Sequence, residues 1–117
     1  MANPNIAGLT NIYGRTIGAT LTTGTNTIIS TTGNKIRKIN SITVANRDGT
    51  NDADVTVYAT VESATRYLAY LITVPAKSTL VVSSKDTSFY LLELDTLTAL
   101  ASAAGDLDII VSYDEIS

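Results

Sequence analysis

The stretch NRDGTNDAD, from Asn46 to Asp54, puts three aspartates and two asparagines within nine residues. Oxygen ligands at that density could wrap a calcium ion, with Asp48, Asn51, Asp52 and Asp54 as the candidates. A calcium loop, however, sets its carboxylates at alternate positions around a glycine and closes on a distal bidentate Glu. Here Gly49 precedes the alternating Asp52 and Asp54, and no Glu follows before Glu62. Asp48-Gly49 reads better as the corner of a hairpin between two strands. No metal is assigned.

The other candidate constellations are weaker. Glu93 and Asp95 would share one strand face and could serve as the acid–base pair of glycoside hydrolysis. Acids at the end of a strand are more often just its exit from the sheet. Ser84 and Lys85 could be nucleophile and base, but neighbours on a strand point to opposite faces. The chain has no Cys and no His, which removes thiolate nucleophiles, disulfides, zinc–thiolate sites and imidazole bases. The expectation is a protein that is not an enzyme and takes no cofactor. Eight Lys and Arg are scattered among eleven acids, for a net charge of −3. That leaves no basic patch to neutralise phosphates, so no nucleic-acid partner is expected. No apolar run approaches the ~20 residues of a membrane span. MANPNIAGLT at the start lacks the basic opening and apolar run of a signal peptide. A soluble chain made in a cytoplasm, with no membrane partner, is expected.

The six tyrosines come without a single Trp. Tyr58 is expected to face outward, with Tyr67 and Tyr70 on opposite faces of their strand. Such rings could stack on glycans, but strand tyrosines are more often half-buried packing or protein interface. Tyr58, Arg66, Tyr67 and Tyr70 are therefore the interface candidates.

These residues must be positioned by strands. In DVTVYATV, Val55, Val57, Ala59 and Val61 alternate with Thr56, Tyr58 and Thr60; in LDIIVSY, Leu107, Ile109, Val111 and Tyr113 alternate with Asp108, Ile110 and Ser112. Alternation of this kind marks a strand buried on one side. Ile42 and Val44 fall together, and the lost parity of Ile36 and Ile39 suggests a bulge near Lys38. Further strands are expected at Leu9–Tyr13, Thr16–Leu21, Thr25–Ser30, Tyr67–Val74, Thr79–Ser83, Phe89–Leu92 and Thr96–Ala101. Turns are expected around Gly14, Gly33, Gly49, Pro75 and Gly105. The segment VPAKSTLVVSS is so apolar that it should be either a central strand or an edge that a partner covers. Short strands at this spacing give an all-β, antiparallel β-sandwich, jelly-roll-like, with about 8–10 strands. Residues 25–117 form the sandwich, and residues 1–24, diluted by glycine, a loosely packed N-terminal arm or edge strands. The expected core is Ile42, Val44, Val55, Val57, Leu68, Ile72, Val74, Leu80, Val82, Leu91, Leu97, Leu107, Ile109 and Val111.

Over nearly its whole length the chain resembles a group of small bacteriophage virion proteins from phages of marine bacteria and cyanobacteria. The resemblance rests on MANPNI, INSITVANRDGTNDADVTVY, ITVPAKSTLVVSSKD, FYLLELDTL and the closing ALASAAGDLDIIVSYDEIS. Where such relatives usually carry Gly-Asp at the acidic corner, this chain has Leu94-Asp95. The resemblance implies a head- or tail-associated structural protein located in the virion and made in the host cytoplasm. The leading expectation is a capsid decoration (cement) protein that binds the major capsid protein as a homo-oligomer, a trimer favoured. A neck, tail or fibre component is the alternative, and a host-surface carbohydrate-binding module a further one.

Overall fold

A computed structural model describes residues 11–31 and 35–117. The strands are β1 (Ile12–Thr20), β2 (Asn26–Ser30), β3 (Ile36–Asn46), β4 (Ala53–Val61), β5 (Ala64–Val74), β6 (Thr79–Ser83), β7 (Phe89–Leu91), β8 (Thr96–Ala101) and β9 (Leu107–Ile116). One short 3-10 turn, Lys85–Thr87, links β6 to β7. All pairings are antiparallel. One sheet runs β1-β9-β3-β6, with β7 pairing a separate stretch of β3; the other runs β2-β8-β4-β5. If β6 and β7 are counted as two pieces of one position, each sheet has four strands and the chain crosses repeatedly between them, which is the jelly-roll sandwich.

The core follows from the alternation. Ile42 and Val44 of β3 lie opposite Val111 and Ile109 of β9. In the second sheet Val55, Val57 and Ala59 lie opposite Ala101, Ala99 and Leu97. All of these are buried in one cluster with Leu21, Ile39, Val74, Leu91 and Leu107. The first sheet contributes Ile and Val to this cluster and the second Ala, Val and Leu, so the inner faces of both sheets share one core. Ile36 and Ile116, also paired, are buried apart from that cluster.

Several local expectations give way. Gly14 does not turn the chain: it sits inside β1 opposite Asp114. The two strands expected on either side of it are one, and Leu9 and Thr10 lie outside the described residues, as does the turn at Gly33. The β3 bulge expected near Lys38 falls between Ile39 and Ser41. The extra residue Asn40 resets the parity, so Ile39 and Ile42 are both buried although three positions apart. Most consequential, Asn46–Asp54 does not close a hairpin. β3 and β4 belong to different sheets, so the loop carries the chain across the sandwich. One-sided alternation on both flanks looks the same in either case, and Gly49 does not use the positive φ of a tight hairpin, which among the described glycines occurs only at Gly105.

The real hairpin, between β4 and β5, turns on Glu62 and Ser63 at φ 52° and 64°. Both sit in the left-handed region that two-residue turns require, without the Asn or Gly that would have announced it. Leu94, at φ 67°, likewise holds a backbone that glycine adopts at no steric cost.

Leu68 and Ile72, expected in the core, are 40% and 41% exposed, because β5 is a bulged edge strand. Leu97→Ala should therefore cost about 2–5 kcal/mol in chemical denaturation. Leu68→Ala should cost less than about 1 kcal/mol, and a cost equal to that of Leu97→Ala would restore Leu68 to the core.

Candidate interaction surface

β5 borders its sheet, and its register against β4 slips twice. Val55 pairs with Ile72, Val57 with Ala69 and Tyr58 with Tyr67, which leaves extra residues on β5 at Leu68 and at Tyr70–Leu71. The first extra residue resets the alternation, so Tyr70 returns to the face of Tyr67 instead of opposing it. The expectation that the two tyrosines lie on opposite faces is thus overturned. Tyr67 packs edge-to-face against Tyr58, ring centres 5.7 Å apart, and against Tyr70, 4.8 Å apart. At the second bulge Leu71 takes φ 49°, and its N–H donates to Oγ1 of the buried Thr56 at 3.2 Å. That bond satisfies a backbone group freed from the ladder.

Together the bulges project apolar groups into solvent. Tyr67, Tyr70 and Leu71 are each more than half exposed, with Leu68 and Ile72 beside them. Arg66, opposite Ala59, is exposed at the end of the row. Five large apolar side chains crowded onto one edge exceed the scattered exposure normal for a surface. Four of the residues singled out in the sequence thus share this region; Leu68, Leu71 and Ile72 were missed. Their signal was the apolar density of YLAYLI, from which alternation assigned Leu68 and Ile72 to the core. β6 is also an edge strand, and its Val81 is 57% exposed. Of the two alternatives stated for VPAKSTLVVSS, the central strand is excluded.

The acidic loop is built from separate local bonds. Asp48 Oδ1 accepts from the Thr50 N–H at 2.9 Å and the Asn51 N–H at 3.2 Å, and Oδ2 from Asn51 Nδ2 at 3.3 Å. These donors hold its pKa down at about 2, from an ordinary 3.8. Asp52 Oδ1 accepts from the Ala76 N–H at 3.0 Å, and Asp54 Oδ1 from the Thr73 hydroxyl at 2.8 Å. Asn46, buried, spans the corner: Nδ2 donates to the Asn51 and Val74 carbonyls and Oδ1 accepts from the Asp48 N–H. The four oxygen-bearing candidates serve different neighbours, and no group of three His, Cys, Asp or Glu suited to a metal occurs among the described residues.

Glu93 and Asp95 do not share a strand face. β7 ends at Leu91, and Asp95 is buried in the turn that follows, where Oδ2 accepts from the Leu92 N–H at 2.9 Å. Ser84 precedes the 3-10 turn and is on no strand. A shallow open depression over the β1–β9 pair is lined by Gly18, Ala19, Thr20, Asp108, Ile109 and Ile110. Its one carboxylate, Asp108, accepts from the Thr20 hydroxyl at 2.7 Å and lies 3.8 Å from Arg47.

A charged cluster at the β9 end escaped the sequence. Glu115 Oε2 accepts from Arg15 Nε at 3.1 Å and Oε1 from Arg37 Nη2 at 2.9 Å, with Lys35 Nζ at 3.8 Å. Arg37 Nη1 also donates to the Ser30 carbonyl at 3.0 Å, tying β3 to β2 across the two sheets. Burial pushes the Glu115 carboxyl up, but Arg15, Lys35 and Arg37 together outweigh it and hold the pKa below 4.5. Its partners lie 100 and 78 residues away in sequence, so no local pattern announces them.

No family model matches the chain, and no curated protein matches it in sequence. Solved structures do match in fold. One is a chain of the Bacillus endospore appendages described as a novel family of disulfide-linked pili: 19% identity, 92% of this chain and 87% of that one, TM-score 0.54. Another comes from the acid-stable capsid of Helicobacter pylori bacteriophage KHP30: 10% identity, 93% of this chain and 90% of that one, TM-score 0.53. At this identity the likeness is one of fold: the jelly-roll sandwich.

Two depressed carboxylates fix the sign of the acid response. A group whose folded pKa lies below its unfolded value adds stability above the unfolded value and loses it as pH falls through the folded one. Denaturant titrations should show stability falling below about pH 4.5. In Asp48→Asn the part of that fall between about pH 4 and pH 2 should shrink, and an unchanged acid limb would contradict the Asp48 geometry.

Proposed function

We propose that this chain is a non-enzymatic structural component of a bacteriophage virion, acting as a capsid decoration protein by protein–protein contact alone. The observation that carries the proposal is the β5 surface. Two bulges leave Tyr67, Leu68, Tyr70, Leu71 and Ile72 exposed side by side along one edge. Tyrosine and arginine, both present here as Tyr67, Tyr70 and the neighbouring Arg66, are among the side chains that dominate interface energies. The aliphatic extension of the patch favours a protein partner over a glycan, which would need bare ring faces. The resemblance of the sequence to small virion proteins, and a fold shared with a chain of a phage capsid, support the virion setting.

The partner is the major capsid protein, bound through β5. Self-association into a trimer adds avidity, so a modest affinity per contact suffices across many symmetric copies. A fibre component is the second reading, favoured by the fold shared with a pilus chain. Disulfide linkage is closed to such a fibre, because this chain has no Cys.

Reconstruction of the intact particle separates the two: copies spread over the head support decoration, and density confined to the tail or fibres rejects it. Tyr67→Ser combined with Tyr70→Ser should weaken binding to undecorated particles at least tenfold, while the fold is kept and the melting temperature falls by only a few degrees, from the lost edge-to-face pairs of exposed rings. Unchanged binding would remove β5 from the contact.

A further inference from the structure

We propose that β1 is an intermolecular pairing edge, along which two copies of this chain join antiparallel about a twofold axis at Thr16. The inference begins from how the chain treats its sheet edges. An exposed edge presents a row of unpaired N–H and C=O groups, and monomeric proteins blunt it with bulges, short strands, proline or charge. Three of the four edges are blunted here. β5 is bulged twice and β2 carries a register slip between Thr27 and Ile29. The edge opposite β1 is split into the five-residue β6 and the three-residue β7.

β1 has no bulge, is not short and carries no proline. Its nine residues pair with β9 in unbroken register from Ile12↔Ile116 to Thr20↔Asp108. Its one charge, Arg15, is drawn to Glu115 at 3.1 Å. Ile12, at 69% exposed, and Tyr13, at 49%, stand in solvent. About half of the backbone groups of such a strand point away from its one neighbour.

The sequence of β1, IYGRTIGAT, complements itself when reversed about Thr16. Gly14 then faces Gly18 of the second copy, Arg15 faces Ile17, Tyr13 faces Ala19, and Ile12 faces Thr20. No like charges meet, Ile12 and Tyr13 face the smaller Thr20 and Ala19, and the paired glycines let the backbones approach. Pairing about Arg15 instead would set two guanidinium groups opposite each other. The twofold at Thr16 is an isologous contact that closes on itself and uses up the edge. β1 and β5 lie in different sheets, so the contact leaves the β5 surface free, and trimers joined through β1 would form even-numbered assemblies. The pairing is a property of the chain in solution and stands apart from the virion reading.

Charge exchange at Thr16 tests it. Thr16 is exposed and lies opposite Ser112, so Thr16→Lys and Thr16→Glu should both fold, as judged by circular dichroism. In sedimentation equilibrium the wild-type assembly should halve in mass in each variant, where like charges face each other across the axis. An equimolar mixture of the two variants should restore it. A wild-type chain that stays monomeric up to about 1 mM overturns the proposal. So does a mass unchanged in both variants, or a mixture that fails to reassociate. Should either variant fail to fold, amide exchange of wild type decides: β1 protection must rise with protein concentration, and protection independent of concentration rejects the pairing.

Discussion

An open sheet ends in backbone groups that have no strand to pair with, and a sandwich of two sheets has four such ends. In this chain that constraint organises more than the core does. The interior is an ordinary aliphatic fit of Ile, Val and Leu against Ala. The distinctive features lie at the borders: a twice-bulged β5, a slipped β2, a divided β6–β7 edge and an unbroken β1. A bulge withdraws the backbone from pairing and re-aims side chains. At β5 it does both, so this edge offers a surface of side chains where β1 offers a ladder of hydrogen bonds. The proposed roles of the two edges rest on that difference.

The sandwich itself was legible in the sequence because a strand buried on one side repeats every two residues, and β4 and β9 do so almost without exception. What the period cannot carry is any event that changes parity. Asn40 in β3, Leu68 in β5 and the bulge at Leu71 each insert one residue; the first lies close to the bulge expected near Lys38, while those in β5 overturned the burial of Leu68 and Ile72 and the opposed tyrosines. Nor does the period say which sheet a strand joins. The loop from Asn46 to Asp54 was rightly seen as a corner, yet it was assigned to a hairpin when it crosses the sandwich. The Glu62-Ser63 turn went unseen because its positive φ angles are held by residues that do not advertise them. Glu115 and its three cations come together only through the fold.

Glu115 and the acidic corner serve the same structural purpose by different means. Arg37 bonds the Glu115 carboxylate on one side and the Ser30 carbonyl on the other, bridging the sheets at the β9 end. Asn46 does the corresponding work at the crossing loop, with the buried amide bonded to Val74 as well as Asn51. The carboxylates that first suggested an ion site bond separate partners: Asp48 the loop backbone, Asp52 the Ala76 N–H and Asp54 the Thr73 hydroxyl.

The central claim is that this sandwich binds through its β5 side chains. Hydrogen–deuterium exchange on the chain bound to its particle, compared with the free chain, tests it most directly. New protection concentrated on residues 66–72, with the loop of residues 47–52 unchanged, is the result this account predicts. Protection confined to the 47–52 loop, with residues 66–72 exchanging as in the free chain, would contradict it.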